Sequence, residues 1–568
     1  MNRFDRAFWS RFWRVAKVYW LSEDRRDGVR LVIIVAALSL AGIGLAAYGS
    51  YLYRDSTDAL VGKHGPQFYH LMLVWTAFTV VSLPVGVYTP WFAGRLHIVW
   101  REWLTHHLVA LGFSHRAFYR MGQRGKVDNP DQRIADDVSA FVASTQTFTV
   151  TLASSIGRVV TYAAILWSIS HSLASLLVAY SMLGTYFTVV IGRRLIGINY
   201  DQERYQADFR FGLIHVRDNV EPIFMFGGEQ HESVQLTRRF ADVVRNFNLL
   251  IDWERNLRFF TESYGGVVAL VPYWFLASRY FAGNLDYGKM VQAALAFIAM
   301  NAAISIIVTT FPSLASYATV VNRLGGFLDE CDAASEDDQE GRERIATTED
   351  GRVAFRQLTV LTPDGSRTLI ANLSADATAL QPLLIKGPSG VGKTSLLRAL
   401  AGLWREGSGT ITRPALADVM FLPQRPYMIL GSLRDQLTYP RAGHISDGQL
   451  LGILAELNLG DLPERFGGLD AELPWAEVLS PGEQQRIAFA RLLLNRPACA
   501  FLDEATSALD VPNEEQLYER LADSGISYLS SGHRPTLLRF HRNVLELRND
   551  GYWRVQPSAE FTSPPRAA

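Results

Sequence analysis

The chain is 568 residues long, and because a domain averages about 150 residues, this length excludes a single ordinary core. Its 55 basic and 56 acidic residues give a formal net charge of −1, which excludes a strongly basic protein that coats nucleic acid, so no nucleic-acid partner is expected. Only 20% of the residues are charged whereas 48% are hydrophobic, which indicates a membrane part joined to a soluble part.

Residues 1–27 form a segment in which aromatic residues are interleaved with arginines. This pattern predicts an amphipathic helix in the cytoplasmic interface of a membrane, although an ordinary soluble helix would show the same pattern. The aromatic residues of the segment are Phe8, Trp9, Phe12, Trp13, Tyr19 and Trp20.

Residues 28–325 contain every long apolar run of the chain and predict a transmembrane domain of six helices. The first run has no charge in 21 residues, which at about 1.5 Å per residue is enough to cross about 30 Å of hydrocarbon. Six spans place both ends of the domain on the same side of the lipid bilayer. The predicted spans are Leu31–Tyr51, Tyr69–Gly94, Ser139–Ser170, Ser172–Gly192, Ser263–Ser278 and Met290–Val321.

Arginine and lysine are concentrated in the N-terminal segment and in residues 96–138 and 193–260, and they are sparse in the other connections. Because basic flanks are retained on the cytoplasmic side, both termini and the soluble part are predicted to be cytoplasmic. No peroxisomal address or organelle targeting segment is evident, so we expect a bacterial inner (plasma) membrane.

Two predicted spans carry polar residues at helical spacing, which is costly in lipid unless that face meets protein or water. Hydroxyls that bond to their own or a neighbouring helix produce the same pattern, whereas a charged arginine needs water or a partner. We interpret these faces as the lining of a hydrated pathway for a transported solute. They consist of Ser144, Thr147, Thr151, Ser155 and Arg158 in the third span and Asn301, Ser305 and Thr309 in the sixth.

The character of the chain changes after the last span. Residues 326–350 are rich in aspartate and glutamate, which predicts a solvated acidic linker. From residue 351 to residue 556, short β-rich runs alternate with helical ones, the pattern of an α/β domain. Residues 557–568 are expected to be a disordered tail.

A phosphate-binding loop follows the first buried strand of this domain. The motif G-x-x-x-x-G-K-T stands between a strand-like Leu-Leu-Ile-Lys and a helical run, the context that this motif needs. Its glycines let backbone N–H groups surround phosphates, Lys393 reaches the terminal phosphates, and Thr394 offers its hydroxyl to Mg²⁺. The predicted nucleotide-binding residues are Gly387, Pro388, Ser389, Gly390, Val391, Gly392, Lys393, Thr394 and Ser395.

A second buried strand, Cys499–Asp503, ends in two carboxylates. Beside a phosphate loop, Asp503 is predicted to hold the Mg²⁺ through water. Glu504 is predicted to polarise the water that attacks the γ-phosphate.

Between these motifs, Leu479–Arg486 reads LSPGEQQR and opens a helix, with Ser480 as its N-cap. Together with the phosphate loop, this segment resembles the signature of ATP-binding cassette (ABC) half-transporters. The resemblance implies an all-α six-helix, exporter-type transmembrane domain followed by an α/β P-loop nucleotide-binding domain. It also implies a head-to-tail homodimer in which Ser480 and Gly482 contact the γ-phosphate bound by the partner.

Further segments match the family in order. By this resemblance Gln424 contacts Mg²⁺ and the membrane domain, Ser507–Asp510 crosses the dimer interface, and His533 contacts the γ-phosphate. Two departures stand out. The signature has Pro-Gly-Glu in place of Gly-Gly-Gln, yet the family's contacts use Ser480 and Gly482, so we expect activity to survive. The adenine-stacking aromatic has no counterpart in Leu358–Gly365, and adenine contact is assigned to no residue.

The signature and two inner-loop segments, 129–134 (NPDQRI) and 221–229 (EPIFMFGGE), narrow the resemblance to subfamily D. That group joins peroxisomal acyl-CoA half-transporters to bacterial relatives whose membrane part is similar to SbmA/BacA peptide transporters. In the family such inner loops dock on the cassettes, which makes these two segments candidates for coupling.

The resemblance implies ATP-driven transport by a homodimer, with two ATP molecules and Mg²⁺ bound at composite sites and ATP hydrolysis as the enzymatic activity. The expected solute is a peptide, a cobalamin-like or other hydrophilic molecule, or acyl-CoA. The alternative is a proton-coupled SbmA/BacA-like transporter with a regulatory ATPase domain, against which the full set of Lys393, Asp503, Glu504 and His533 argues.

Overall fold

A computed structural model describes residues 6–124, 129–339, 344–377, 382–441 and 445–561. Its contacts divide the chain into two units, with the boundary between Gln339 and Glu340. The first unit is built from helices and the second from helices and two sheets. This is the predicted order of an all-α domain followed by an α/β domain.

Long helices make up most of the first unit, because its apolar runs are long and its backbone groups can bond within each helix. Six of its helices, α2, α3, α6, α7, α9 and α10, account for the six predicted spans, with only Ser170 of the third span lying beyond its helix. The helices are α1 (Arg6–Trp20), α2 (Arg25–Val61), α3 (Gly65–Phe113), α4 (Ala117–Arg124), α5 (Pro130–Gln132), α6 (Val138–Ile169), α7 (His171–Asp218), α8 (Val220–Met225), α9 (Glu229–Phe281) and α10 (Tyr287–Gln339).

By length and composition, four helices among the described residues can cross a membrane: α2, α3, α6 and the Tyr287–Ile306 part of α10. A shorter apolar segment, His171–Gly184, begins α7 and covers the first part of the predicted fourth span. The predicted fifth span lies within α9. Helices α2, α3, α7, α9 and α10 continue well beyond their apolar runs, whereas α6 nearly coincides with its own.

The N-terminal helix α1 is amphipathic, as its interleaved aromatic and basic residues predict. Phe8, Val15 and Tyr19 are buried in the first unit, whereas Trp9 and Trp13 are 56% and 65% exposed. The buried stripe recurs at steps of three, four and seven residues, which is the spacing of one helix face. Two indole rings are therefore left on the outer face.

The predicted acidic linker differs from the structure. Residues 326–339 continue α10, and the side chains of Phe327 and Cys331 are buried in the core of the first unit. Asp329 pairs with Arg11 and Arg14, and Arg14 also pairs with Asp332. The acidic residues have partners on α1, a tertiary relation that sequence composition does not reveal. Residues 340–343 of the predicted linker and 562–568 of the predicted tail lie outside the described residues.

Two sheets organise the second unit. A four-stranded sheet has the order β1-β5-β2-β3, and a six-stranded sheet has the order β10-β9-β4-β8-β7-β6. The strands are β1 (Ala346–Glu349), β2 (Ala354–Leu361), β3 (Thr368–Asp376), β4 (Leu383–Lys386), β5 (Gly407–Arg413), β6 (Val419–Leu422), β7 (Cys499–Asp503), β8 (Ser527–Ser531), β9 (Asn543–Leu547) and β10 (Trp553–Pro557).

The larger sheet is parallel except for β10, which runs antiparallel to β9. Its central strands are apolar on both faces because helices and the smaller sheet cover them. The helices of this unit are α11 (Lys393–Leu400), α12 (Leu433–Thr438), α13 (Asp447–Glu456), α14 (Leu462–Phe466), α15 (Trp475–Val478), α16 (Pro481–Asn495) and α17 (Val511–Asp523).

Candidate nucleotide-binding site

Four neighbouring parallel strands deliver most of the predicted site residues to one edge of the six-stranded sheet. The strands lie in the order β4, β8, β7, β6. The phosphate loop follows β4, His533 follows β8, Glu504 follows β7 and Gln424 follows β6. Because parallel strands present their carboxyl ends at the same edge, residues distant in sequence meet there, as in other open α/β sheets.

The phosphate loop has the backbone conformation that its glycines permit. Gly390 and Gly392 have φ angles of +77° and +114°, which residues with a Cβ rarely adopt. At Gly387 the limit is close approach, since a Cβ there would lie 2.6 Å from the carbonyl oxygen of Leu547. Helix α11 begins at Lys393, so its N-terminal N–H groups face the space that a phosphate would fill.

Lys393 is buried and its ammonium group is held by the loop itself. Its Nζ donates to the carbonyl oxygens of Gly387 at 3.0 Å and Pro388 at 3.2 Å, and lies 3.0 Å from Nε2 of His533. Burial lowers the pKa of Lys393, while the nearby carboxylates of Glu504 and Asp503 oppose that shift. An anionic ligand at this point would therefore restore favourable charge to a desolvated cation.

Glu504 lies at the centre of the predicted catalytic set. Its Oε1 is 3.1 Å from Nε2 of His533 and 3.9 Å from Nζ of Lys393, and its Oε2 accepts a hydrogen bond from Nε2 of Gln424 at 3.0 Å. Its backbone has a φ of +47°, an uncommon value for a residue with a side chain. The structure thus brings Lys393, Gln424, Glu504 and His533 together.

Asp503 is fixed by the neighbouring strand. The hydroxyl of Ser531 donates to Oδ1 of Asp503 at 2.7 Å and accepts from the backbone N–H of Glu504 at 3.1 Å. This arrangement fixes the carboxylate of Asp503 and the backbone of Glu504 at the end of β7. Ser531 was not identified as a site residue from the sequence. The available indication was its position at the end of a buried strand, β8, which pairs with the strand that carries the predicted acidic pair.

The residues predicted to hold Mg²⁺ fit an ion that is coordinated mainly by phosphate oxygens and water. Thr394 is exposed at the start of α11, and Gln424 uses its amide nitrogen on Glu504, which leaves its amide oxygen available to a cation. Within the described ranges, no group of three His, Cys, Asp or Glu side chains could hold a metal by itself. Mg²⁺ characteristically takes one or two protein groups together with phosphate oxygens and water.

The signature segment forms a capped helix start, as predicted. The hydroxyl of Ser480 donates to Oε2 of Glu483 at 2.8 Å and accepts from the backbone N–H of Glu483 at 3.3 Å, a capping box at the start of α16. A Cβ on Gly482 would lie 3.3 Å from the Leu509 side chain. The signature is therefore in contact with the predicted interface loop Ser507–Asp510.

Gln485 is a site residue that sequence reasoning did not single out. It is 2% exposed, and its Nε2 donates to the carbonyl oxygen of Gln424 at 3.1 Å and to the hydroxyl of Ser507 at 3.2 Å. Its Oε1 accepts from the backbone N–H of Ala508 at 3.0 Å. One amide therefore links the signature helix, the Gln424 loop and the interface loop. A polar residue on the buried face of α16 was the available signal.

The predicted polar faces of the membrane unit have different environments. The amide oxygen of Asn301 accepts from the hydroxyls of Ser181 at 3.1 Å and Tyr264 at 2.7 Å, so this residue joins α7, α9 and α10. Ser155 is buried, whereas Arg158 is exposed on α6 of the single chain. Thr309 is one of the residues whose side chain lies outside the described set.

The second inner-loop segment contains helix α8, on which apolar side chains are exposed. Phe224, Met225 and Phe226 are 63%, 75% and 87% exposed. A cavity of about 410 Å³ between the end of α7 and the start of α9 is lined by apolar side chains, among them Phe209 and Phe240. Exposed apolar residues of this kind mark an interaction surface.

The first inner-loop segment is held by buried charges. Asp137 accepts two hydrogen bonds of 2.9 Å from Arg323 and lies 3.7 Å from Arg133. Both Asp137 and Arg133 are buried. The segment before α6 is thereby fixed to α10 by a bidentate ion pair, the most directional kind of side-chain contact.

Two family models match the chain. The model for the ABC transporter transmembrane region 2 matches residues 16–281, and the model for the ABC transporter domain matches residues 370–507. The boundary between the two structural units falls in the gap between these matches. Each unit therefore corresponds to one family model.

Similar whole proteins support the same division. An uncharacterized ABC transporter ATP-binding protein of Synechocystis sp. is 43% identical over 93% of this chain and 81% of its own length. The lysosomal cobalamin transporter ABCD4 of Mus musculus is 30% identical over 97% of both chains. Among solved structures, a bacterial Atm1-family ABC exporter with ATP bound has a TM-score of 0.73 and 17% identity, covering 94% of this chain and 96% of its own.

Proposed function

The chain belongs to the ABC transporter family, with relatives in its D subfamily, and we propose that it is a homodimeric half-transporter that moves a solute across a membrane by hydrolysing ATP. Each chain carries an exporter-type membrane domain and one ATP-binding domain. In the proposed dimer, two ATP molecules lie between the two copies.

The observation that carries this proposal is the convergence of Lys393, Gln424, Glu504 and His533 at the ends of four adjacent strands. Lys393 and the N–H groups of the phosphate loop bind the β- and γ-phosphates. Glu504 positions and polarises the attacking water, and His533 contacts the γ-phosphate. Thr394, Gln424 and Asp503 would hold Mg²⁺, which supplies positive charge beside the phosphate oxygens when it is bound.

The proposed site needs a second copy of the chain. The Ser480 side chain contacts Glu483, and Gly482 packs near Leu509 on the interface loop. In the proposed head-to-tail dimer, the Ser480 hydroxyl and the Gly482 N–H bind the γ-phosphate held by the partner subunit. ATP binding then closes the pair, and hydrolysis reopens it. The inner-loop segments are the candidates for coupling this change to the membrane helices.

We place the protein in a bacterial inner membrane with both termini and the ATP-binding domain in the cytoplasm, on the basis of its basic flanks. The solute pathway is proposed to run along the polar face of α6, with Arg158 inside it. Arg158 is exposed on the single chain, and an arginine within a span requires water or a counter-charge.

The name of the mouse relative favours a cobalamin-like solute, and the subfamily resemblance keeps peptides and acyl-CoA as the other classes. All three carry polar groups that a hydrated pathway lined by hydroxyls and an arginine would accept. We propose the cobalamin-like class first because that relative covers 97% of both chains.

The test is transport by the purified protein in proteoliposomes. We expect ATP-dependent movement of a corrinoid, stimulation of ATP hydrolysis by that solute, and loss of both with vanadate but not with an uncoupler. Peptides and acyl-CoAs are the comparison solutes. Transport that stops with the uncoupler and persists with vanadate would contradict ATP-driven transport.

A further inference from the structure

The signature serine is engaged by a carboxylate of its own helix. The Ser480 hydroxyl donates to Oε2 of Glu483 at 2.8 Å, and the backbone N–H of Ser480 donates to the same oxygen at 2.7 Å. A serine hydroxyl carries a single proton. The proton that the proposed function requires for a phosphate is therefore committed to Glu483 in this conformation.

A carboxylate at this position creates two difficulties for binding a phosphate. It competes with the phosphate for the Ser480 proton, because an ionised carboxylate accepts a stronger hydrogen bond than the neutral amide of a glutamine would. It also places a negative charge next to the serine that would contact the negatively charged phosphate. Charges of like sign within a few ångströms repel each other, most strongly where water is excluded. Glu483 is well shielded, with a side-chain exposure of 12%.

Arg465 lies against the other oxygen of the same carboxylate. Its NH2 is 2.6 Å from Oε1 of Glu483, and its NH1 is 3.1 Å from Oδ2 of Asp461. The guanidinium carbon also lies 4.5 Å from the centre of the Phe466 ring. These contacts hold the cation of α14 in a defined position beside the start of α16.

The charge state of Glu483 agrees with this geometry. Burial raises the pKa of Glu483, but the hydrogen bonds from Arg465 and Ser480 outweigh burial and hold the pKa below its ordinary value. Glu483 is therefore an anion at neutral pH, and its charge is balanced by Arg465. A glutamine at this position would need no such partner.

We propose that Arg465 is a positioning residue for the ATP site of the partner subunit: it neutralises Glu483 and holds Oε1, so that the Ser480 hydroxyl can turn from Glu483 to the γ-phosphate. This inference rests on the proposed function, because it requires the composite site. It assigns a role to a residue of α14 that lies outside every motif of the sequence.

The test compares Arg465→Met with the double variant Arg465→Met, Glu483→Gln in the full-length transporter reconstituted in lipid. We expect Arg465→Met to raise the KM for ATP about fivefold with a smaller change in kcat, as loss of one charge contact implies. Glu483→Gln in the same chain should restore the KM to within about twofold, because the uncompensated charge is removed. Arg465→Lys keeps the charge and should stay within about twofold of the wild type.

A readout that needs no hydrolysis comes from the same variants in a Glu504→Gln background. There, the ATP concentration that gives half-maximal protection from limited proteolysis should rise with Arg465→Met and return with Glu483→Gln. The matched control is Arg434→Met, which removes an arginine that pairs with Asp447 and Asp470 in the same unit. Glu483→Gln should not compensate for any effect of that variant.

The outcomes separate the inference from the proposed function. An unchanged KM in Arg465→Met would overturn the role of Arg465, and so would a raised KM that Glu483→Gln does not restore. In either case the proposed function still stands, provided that the wild-type protein hydrolyses ATP. If Arg465→Met fails to fold, the double variant Arg465→Met, Glu483→Gln provides the test. A double variant that folds but whose KM for ATP stays above the wild-type value also contradicts the role of Arg465. A wild type without ATP hydrolysis would overturn both.

Discussion

The ammonium nitrogen of Lys393 lies 3.0 Å from Nε2 of His533, which joins the phosphate loop to the turn after β8. Lysine has three N–H donors and no acceptor, and its remaining donors are used by the carbonyl oxygens of Gly387 and Pro388. Nε2 of His533 also lies 3.1 Å from Oε1 of Glu504, so the ring is held between the lysine and the carboxylate. The histidine thus occupies the contact that a terminal phosphate would take, and its 51% exposed side chain has room to withdraw.

The first prediction concerns His533→Ala. We expect kcat for ATP hydrolysis to fall about 100-fold, the scale for loss of one group that stabilises the charge developing in the transition state. ATP binding should be retained or strengthened, because the ring that occupies one contact of Lys393 is removed. Steady-state kinetics with a separate nucleotide-binding measurement distinguish the two effects. The control is His231→Ala, an exposed histidine on α9; equal losses in both variants would count against a role for His533.

The second prediction compares the general base with the phosphate-binding lysine. Glu504→Gln should bind ATP normally and lose at least about 100-fold in kcat, because an amide cannot accept the proton of the attacking water. Lys393→Ala should weaken both binding and turnover, since it removes the charge that meets the phosphates. Equilibrium binding and hydrolysis are measured on the same preparations. A Glu504→Gln protein that hydrolyses ATP at the wild-type rate would remove Glu504 from its role.

The third prediction is an acid-dependent loss of stability that originates at His541. Its Nδ1 lies 2.7 Å from the carbonyl oxygen of Leu537, and its ring packs against Tyr518 and Tyr528. Burial and then the nearby charge of Lys386 lower its pKa from an ordinary 6.5 to about 4, although the Leu537 contact opposes the shift. The folded chain thus binds the proton less well than the unfolded chain.

The sign of the effect follows from linkage. Stability from the neutral ring is fully present above about pH 6.5 and is lost as the pH falls towards 4, by about 1.4 kcal/mol at pH 5.5. We expect the melting temperature of the second unit within the intact protein to fall between pH 7.5 and about 5.5, and His541→Phe to flatten that fall because phenylalanine cannot be protonated. An identical pH dependence in the variant would exclude His541 as its source.

The ATP site was predictable because its functional residues lie in short sequence motifs. The Gly390 and Gly392 conformations follow from the local motif of the phosphate loop, and Asp503 and Glu504 stand at the end of a buried strand. The order of the strands in the sheet then brings those segments together. The role of Gln485 was not predicted, because its partners Gln424, Ser507 and Ala508 are 22 to 61 residues away in the chain.

Composition was a poorer guide where charges have distant partners. The acidic run after the sixth predicted span reads as a solvated linker, yet Asp329 lies against Arg11 and Arg14, more than 300 residues away. Asn301 illustrates the same difficulty within the membrane unit. Its spacing suggests a pathway face, but its amide oxygen is bonded to Ser181 and Tyr264. Spacing identifies a polar face without identifying what that face contacts.

The fourth prediction tests the pathway with single cysteines in the assembled transporter. Cysteines at Thr151 and Arg158 should react with a charged aqueous thiol reagent, because we propose that this face of α6 meets water. A cysteine at Leu152, an exposed apolar position on a different face, should not react, since it is expected to face lipid. Unreactive cysteines at both Thr151 and Arg158 would contradict the proposed pathway.

The fifth prediction concerns the buried amide of Gln485, which two variants probe. Gln485→Leu removes its contacts with Gln424, Ser507 and Ala508, whereas Gln485→Glu keeps an acceptor for the Ala508 N–H and loses the donors. Each lost hydrogen bond is worth about 1 kcal/mol.

Because these contacts orient loops rather than the phosphate loop, ATP binding should be retained in both Gln485 variants. Their kcat should fall about tenfold, which corresponds to about 1.4 kcal/mol. The control is Gln516→Leu, which removes a comparable bond to the carbonyl oxygen of Glu456 on the outer side of the unit. If Gln516→Leu lowers kcat as much as the Gln485 variants do, the effect is general loosening. If kcat falls only in the Gln485 variants, this buried amide links the signature helix to the loops of the ATP site.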